Sequence, residues 1–189
     1  MDFKLYHYGM EDYDDIGFGC SYRNIQTILS AYKKYYDNNI TIPNIRELLN
    51  YFNKDYLNIV NKKDLWIEPY HISNYLFQNF NIKFINTIYV TKDEDITKIL
   101  KTDINVYLSN KTYHKNNFIE LLNLFKIHFS KSKLPIIIDN GVYSYCIKTI
   151  NDKVILIDPH TTSDDNVIKH KDISFIKNTF WMIYLPLNY

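Results

Sequence analysis

The sequence contains very few cysteines, and this shortage excludes some classes of protein. Only two occur among the 189 residues, Cys20 and Cys146. Two thiols are too few for a secreted scaffold held together by disulfides, and neither belongs to a CxxC pair. We therefore expect reduced thiols in an intracellular, cytoplasmic setting, where a cysteine stays available for thiol chemistry.

Net charge is almost absent as well. The 22 basic side chains nearly balance the 21 acidic ones, so the molecule as a whole has no field that would attract nucleic acid or a membrane surface. The longest apolar runs, such as residues 135–138, are far too short to cross a bilayer, and the first residues lack the basic and apolar regions of a signal peptide. We expect a soluble protein with no nucleic-acid partner and no membrane span.

No motif for a metal or a cofactor is visible. The sequence has no HExxH and no dense cluster of histidines and carboxylates, so we predict neither a metal site nor a bound cofactor. Four histidines lie in amphipathic or polar stretches and are expected on the surface or on helix faces: His71, His114, His128 and His170.

The few glycines and prolines are scattered rather than clustered. Four glycines and five prolines form no linker, and there is no internal repeat, so no domain boundary is indicated. Hydrophobic residues make up 46% of the sequence and aromatic residues 16%, which is well above the range of disordered chains. We predict that residues 1–189 fold as a single domain.

The spacing of apolar residues predicts helices first and a sheet later. From Cys20 to Tyr36, apolar side chains recur every three or four residues, which predicts one face of a helix that begins at Cys20. Asn44 and Glu47 form a capping-box pattern before a second helix, and two more helices are predicted at 71–80 and 116–129. Strand-like segments are 82–90, 134–139, 142–150, 154–158 and 180–187. We expect an α+β fold whose last three strands form an antiparallel meander.

Cys20 is the first candidate for chemistry. A helix N-terminus presents unpaired N–H groups and a partial positive charge, which stabilise a thiolate and can also hold an oxyanion. Gly17 and Gly19, on either side of Phe18, let the backbone turn sharply and let a substrate chain come close. The alternative is that a cysteine is a small buried hydrophobic residue, which fits Cys146 in its apolar strand much better.

The tripeptide Asp158-Pro159-His160 is the second candidate. Residues two apart in an extended strand point to the same side, so Asp158 and His160 can face one pocket while Pro159 stiffens the link between them. A histidine beside a carboxylate can hold the tautomer that takes a proton from a thiol. The alternative is a strand end that leads into a polar surface turn at residues 161–165. The pattern alone favours neither interpretation.

Segments at opposite ends of the chain resemble a known family. Tyr6-His7-Tyr8-Gly9 and the run DDIGFGCSYRNIQ at residues 14–26 resemble the active-site region of the proteases specific for ubiquitin-fold modifier 1. Residues 156–160 and the closing segment 180–186 resemble the same family, in the same order along the chain. The resemblance extends over nearly the whole sequence and is to the short members of that family.

This resemblance implies a papain-like α+β fold, in which the helix bearing the nucleophile packs on an antiparallel sheet. It implies that Cys20 is the nucleophile and His160 its general base. It further implies that Asp158 orients the imidazole and that Tyr8 stabilises the oxyanion. Such enzymes are thiol proteases that cut after the C-terminal glycine of a ubiquitin-like modifier, maturing its precursor or releasing it from a lysine. The expected partner is therefore a ubiquitin-like protein modifier of the Ufm type.

The sequence departs from the pattern of that family in three places. Family members usually have Trp at the position of Phe18, a longer glycine run in place of residues 139–141, and a His-Thr pair in the region of residues 144–146. These departures leave the implied catalytic residues intact, whereas the shape of the substrate channel is expected to differ.

Other functions remain open at this stage. The segment Asp158 to Thr162 is at least as similar to the autophagins, which process the ubiquitin-like modifier of autophagy. A ubiquitin-directed branch shares the signature Tyr-Arg-Asn at residues 22–24 but takes its histidine from the preceding strand, and no histidine occurs between Val142 and Ile150. A protein that binds a modifier without cutting it is the non-enzymatic alternative, although a binder has no need to keep all the implied site residues.

Overall fold

The computed structural model of the chain describes residues 3–54, 61–91, 112–115 and 117–187. Within these ranges the chain forms five α-helices: α1 (Cys20–Tyr35), α2 (Ile45–Tyr51), α3 (Pro69–Phe80), α4 (Phe118–Lys131) and α5 (Ser174–Lys177). None of these helices is both long enough and apolar enough to span a membrane. The four predicted helices are confirmed, and α1 begins at Cys20 as expected.

The described strands form one sheet. They are β1 (Lys83–Val90), β2 (Thr112–Lys115), β3 (Ile136–Asp139), β4 (Ser144–Ile150), β5 (Val154–Ile157), β6 (Ile168–Lys171) and β7 (Trp181–Leu187). Their order across the sheet is β2-β1-β7-β3-β4-β5-β6. All neighbouring strands are antiparallel except β1 and β2 at one edge, which are parallel. The predicted α+β class with an antiparallel sheet is confirmed, with one parallel edge pair added.

The prediction that the last strand continues a meander is wrong. Strands β3, β4 and β5 do follow one another, but β7 inserts between β1 and β3, and β6 takes the edge position beside β5. The sequence does not predict β6 because its four residues, 168–171, include one apolar side chain and are partly or fully exposed. Strand β7 has an apolar sequence and is largely buried, as expected of a strand in the centre of a sheet that is covered on both faces.

The sheet is covered on both faces. Helices α1, α2 and α3 pack on one face, where Ile137 of β3 and Cys146 of β4 lie in the core. Helix α4 packs on the other face, where Ile136 and Ile138 lie in a second core. Successive residues of β3 therefore point into opposite cores, as the alternation of side chains along a strand requires.

A buried polar side chain fixes α1 to the sheet. Asn24 Nδ2 donates a hydrogen bond to Ser144 Oγ at 2.9 Å, and the Cys146 thiol donates to Asn24 Oδ1 at 3.3 Å. All three residues are buried, and these bonds satisfy polar groups that would otherwise be costly to bury. The interpretation of Cys146 as a buried packing residue is confirmed.

A buried ion pair holds the loop that precedes α1. Arg23 and Asp15 are both fully buried, and Arg23 Nε donates to Asp15 Oδ2 at 2.7 Å. The guanidinium also donates to Glu11 Oε2 at 3.0 Å, to Gln26 Oε1 at 3.0 Å and to the Met10 carbonyl at 2.8 Å. A buried charge is tolerated only when it is paired and well hydrogen-bonded, so these contacts fix the loop against the helix.

Replacing Arg23 with Met removes one partner of this pair and leaves the Asp15 carboxylate buried without a counter-charge. We expect the Arg23→Met substitution to lower the free energy of unfolding by about 3–5 kcal/mol. Lys62→Met is the matched control, because Lys62 forms an exposed ion pair with Asp14 at 3.6 Å that should contribute under about 1 kcal/mol. Chemical denaturation of both variants measures the two losses, and equal losses would contradict the role given to Arg23.

Candidate active site

The side chains singled out in the sequence lie around one cleft. Tyr8, Cys20 and His160 line a cleft of about 330 Å³, and Asp158 is hydrogen-bonded to His160. The other lining residues are residues 16–18 and 21, residues 66–69, and residues 139 and 141–143. Cys20 is partly exposed, so a substrate can reach its thiol. Folding thus brings together residues from opposite ends of the sequence.

The backbone before Cys20 leaves the start of α1 open. The residue that caps the helix, Gly19, offers no side-chain hydrogen bond, so the first N–H groups of the helix remain available to a ligand. Any side chain at Gly19 would collide with the carboxylate of Asp15. Gly17 adopts a φ of 90°, which other residues rarely adopt. These two glycines therefore shape the turn that presents Cys20 at the cleft.

Asp158 orients the imidazole of His160. The His160 Nδ1–H donates to Asp158 Oδ1 at 2.7 Å, and the backbone N–H of His160 donates to the same oxygen at 3.0 Å. The other ring nitrogen, Nε2, is buried and forms no well-aligned hydrogen bond with the described residues, although the imidazole interacts with Cys20. Loose thiol–imidazole contacts are common before substrate binds. The arrangement leaves Nε2 as the nitrogen that exchanges a proton with the thiol.

The contacts within this pair set its charges. Burial lowers the pKa of His160, but the hydrogen bond to Asp158 and the interactions with Cys20 raise it by more, to about 9. Burial raises the pKa of Asp158, but its hydrogen bonds with His160 lower it by more, so that it falls below its usual range. At neutral pH an imidazolium therefore lies beside the sulfur of Cys20, and the Asp158 carboxylate balances its charge.

Tyr8 brings a hydroxyl group to the nucleophile. Its backbone N–H donates to the Pro159 carbonyl at 3.0 Å, which fixes the N-terminal arm against the segment that carries His160. The Tyr8 hydroxyl interacts with both the thiol and the backbone N–H of Cys20. Burial, followed by the charge of Cys20, raises the pKa of Tyr8 far above its ordinary value. Tyr8 is therefore a neutral donor placed beside a helix N–H group, as an oxyanion site requires.

Asp15 connects Tyr8 to Cys20. Its Oδ1 accepts the N–H of Gly9 at 2.8 Å, directly after Tyr8. Its backbone carbonyl accepts the N–H of Gly19 at 2.9 Å, directly before Cys20. One buried residue therefore holds the chain neighbours of both Tyr8 and Cys20.

Three further residues near the cleft were not among the predicted site residues. Asp139 lines the cleft, and burial raises its pKa to about 6, against the opposing hydrogen bonds from Gly141 and Ser144. Tyr143 and Tyr145 contact the ring of His160. In the sequence, only the spacing of Tyr143 and Tyr145 could have indicated that they lie on the same side of the sheet, because residues two apart along a strand share a face.

Among the described residues that line the cleft, His160 is the one histidine. His71 is half-buried beside Phe52, and His170 is exposed on β6. His128 lies on a buried face of α4, within the expectation of a surface or helix-face position, and its Nε2 is hydrogen-bonded to the Leu134 carbonyl at 2.8 Å. The side chain of His114 lies outside the described residues. In the part of the chain that the structure describes, no group of three or more potential metal ligands comes together.

Comparisons of sequence connect the chain with known peptidases. The sequence model of peptidase family C78 matches residues 1–179. Probable Ufm1-specific protease 2 of Drosophila melanogaster is 26% identical over 176 residues, which cover 88% of this chain and 25% of that protein. A probable Ufm1-specific protease of Oryza sativa subsp. japonica is 24% identical over 210 residues, which cover 97% of this chain and 29% of that protein. This chain thus spans between a quarter and three tenths of the length of these curated relatives.

A solved structure has the same fold. The crystal structure of UfSP from C. elegans superimposes with a TM-score of 0.64 at 22% identity, over 99% of this chain and 33% of that chain. The predicted papain-like α+β fold, in which the helix that begins at Cys20 packs on an antiparallel sheet, is confirmed.

Iodoacetamide at neutral pH should alkylate Cys20 faster than Cys146. Cys20 is partly exposed, whereas Cys146 is fully buried and burial raises the pKa of its thiol. The reactive thiolate form of Cys146 is therefore both scarce and inaccessible. Mass spectrometry of peptides after short exposures measures the two rates. In a Cys20→Ala control, labelling should stay slow throughout, and faster labelling of Cys146 than of Cys20 would overturn the assignment.

Proposed function

Because this chain belongs to peptidase family C78, we propose that it is a thiol protease that cleaves after the C-terminal glycine of a ubiquitin-like modifier of the Ufm type. The observation that supports this most strongly is the convergence of Cys20, His160 and Tyr8 on one cleft, with Asp158 bonded to the histidine. The modifier class is proposed from the names of two relatives, both probable Ufm1-specific proteases.

The first half of the proposed reaction is acyl transfer to Cys20. His160 Nε2 holds the proton given up by the Cys20 thiol, as the imidazolium described above, and the sulfur attacks the carbonyl carbon of the terminal glycine. Asp158 keeps Nδ1 protonated, so that Nε2 is the nitrogen that exchanges the proton. The C–N bond of the tetrahedral intermediate then breaks as His160 gives its proton to the leaving amine. A thioester between the modifier and Cys20 remains.

The second half is hydrolysis of that thioester. A water molecule gives a proton to His160 Nε2 and attacks the thioester carbon, and collapse of this intermediate releases the modifier's carboxyl group and restores the thiol. In both halves negative charge gathers on the former carbonyl oxygen. The Tyr8 hydroxyl and the Cys20 N–H lie together and stabilise that charge more in the transition state than in the ground state.

We expect the N-terminal motif and the cleft to determine which modifier is cleaved, and not the autophagin-like residues Thr161 and Thr162. Neither Thr161 nor Thr162 is among the described residues that line the cleft. The Thr161 hydroxyl instead accepts the N–H of Ser163 at 3.2 Å, which stabilises the turn after His160. The autophagin-like residues therefore support a local turn and have no described contact with the place where the scissile bond would lie.

A panel of ubiquitin-like proteins carrying C-terminal electrophiles tests the substrate class. We expect ubiquitin-fold modifier 1 to become attached to the protein fastest, and autophagy modifiers and ubiquitin more slowly, because Tyr8 and Cys20 of the cleft come from the segments that resemble the first family. Intact-mass measurement follows the adducts, and Cys20→Ala should form none. A preference for an autophagy modifier would overturn the Ufm assignment, and tight binding without any adduct would favour a non-catalytic binder.

The substitution Tyr8→Phe separates an oxyanion donor from a packing residue. Phe keeps the ring that packs against His160 at 5.5 Å but removes the hydroxyl, so we expect kcat to fall by roughly 10²-fold, as for other single oxyanion donors. Substrate affinity should hardly change, because the donor acts mainly in the transition state.

Single-turnover rates measure the chemical step, and the affinity of Cys20→Ala for the modifier, with and without Tyr8→Phe, measures binding. Full activity in Tyr8→Phe would remove the tyrosine from the mechanism. Weaker binding at an unchanged rate would make it a substrate contact instead.

A further inference from the structure

Three tyrosine rings contact the imidazole of His160. The ring centroid of Tyr145 lies 5.0 Å from that of the imidazole with an interplanar angle of 61°. Tyr143 lies at 5.2 Å and 83°, and Tyr8 at 5.5 Å and 84°. All three contacts are edge-to-face, which is a favourable arrangement for aromatic rings. The imidazole is therefore held by aromatic contacts in addition to its bond with Asp158.

The three tyrosines differ in what else they reach. Tyr8 contacts Cys20 through its hydroxyl. Tyr143 lines the cleft and is 49% exposed, so a bound substrate would touch it. Tyr145 is half-buried on β4 and is not among the described residues that line the cleft. Its contact with the imidazole is therefore separate from contact with substrate.

The ring of Tyr145 is itself held in place from behind. Its centroid lies 6.2 Å from that of Trp181 and 6.0 Å from that of Phe175, and those two rings pack together at 5.3 Å. Trp181 is almost completely buried. The backbone of Tyr145 is paired with Ile138 of β3. A ring supported by both the sheet and an aromatic cluster provides a rigid surface for the imidazole.

We propose that Tyr145 is a positioning residue whose ring keeps the imidazole of His160 aligned between Asp158 and Cys20. This inference rests on the proposed function and deepens it by adding a residue to the support of the general base. The hydroxyl of Tyr145 takes no part in this role, so phenylalanine should replace it.

The physical reason is that a single hydrogen bond leaves an imidazole free to swing. Asp158 fixes Nδ1, but the position of Nε2 still depends on rotation of the ring about that bond. An adjacent rigid ring removes this freedom, and displacements of about 1 Å at reacting atoms cost roughly 10²-fold in rate. His160 is an imidazolium at neutral pH because its pKa is raised to about 9, so a displaced ring also moves a positive charge away from the sulfur of Cys20.

The variants Tyr145→Leu and Tyr145→Phe test the proposal. In Tyr145→Leu we expect kcat to fall by roughly tenfold at unchanged KM, since substrate does not touch this side chain. Alkylation of Cys20 by iodoacetamide at neutral pH should slow by roughly fivefold, since it depends on the adjacent imidazolium. In Tyr145→Phe both rates should stay close to those of the unmodified chain.

Tyr75→Leu is the matched control. Tyr75 is a buried tyrosine of α3 in the core on the other face of the sheet. Its described ring contacts are with Tyr51, Phe52 and Phe80, so its loss removes a buried ring away from the support of Tyr145, and any general loss of stability should appear there too. Both rates should remain unchanged in this variant. If Tyr145→Leu does not fold, Tyr145→Met, which fills a similar volume without a ring, replaces it.

Alkylation needs no modifier, so the two proposals fail in distinguishable ways. If no modifier is cleaved but loss of the Tyr145 ring still slows alkylation of Cys20, the positioning role stands and the proposed substrate is wrong. The positioning role is overturned if the ring-free variant keeps both rates, if Tyr145→Phe is as slow as the ring-free variant, or if Tyr75→Leu slows alkylation equally.

Discussion

The carboxylate of Asp15 is fully buried, and the hydrogen bonds of this residue join the parts of the chain that form the cleft. Oδ2 is paired with Arg23 of α1 at 2.7 Å, and Oδ1 accepts the N–H of Gly9, next to Tyr8. The carbonyl oxygen accepts the N–H of Gly19, next to the nucleophile. A charge in the core is stable only with such a complete set of partners, so the position of Tyr8 relative to the Cys20 thiol depends on this residue.

The polar side chains of residues 22–26, which follow Cys20, also fix the parts of the chain that form the cleft. The Tyr22 hydroxyl donates to the Leu65 carbonyl at 2.6 Å, immediately before the segment 66–69 that lines the cleft. Asn24 binds β4, and Gln26 Nε2 donates to Glu11 at 2.9 Å. Each of these polar side chains is buried and satisfied, and such networks give a site a single rigid arrangement. The buried polar side chains of residues 22–26 thus hold the residues of the cleft in place.

Local signals in the sequence predict most of the fold, and non-local properties account for the rest. The start of α1 and the buried strands follow from apolar spacing, which neighbouring residues determine. The position of β7 and the existence of β6 depend on which strands pair across the chain, and β6 has too few apolar residues to reveal itself. In the site, Cys20 and His160 stand out by their chemistry. Asp15 does not, because it lies in a polar stretch whose burial becomes apparent only when Arg23 packs against it.

A double-mutant cycle measures directly whether Asp15 supports the proposed catalysis by placing Tyr8. Single-turnover rates would be compared for Tyr8→Phe, for Asp15→Asn, which keeps the shape of the side chain, and for the double variant, each checked for folding. Residues that act through one another give non-additive effects. We predict that the double variant is about as slow as the slower single variant. If each substitution instead slows the reaction by the same factor whether or not the other is present, Asp15 does not act through Tyr8.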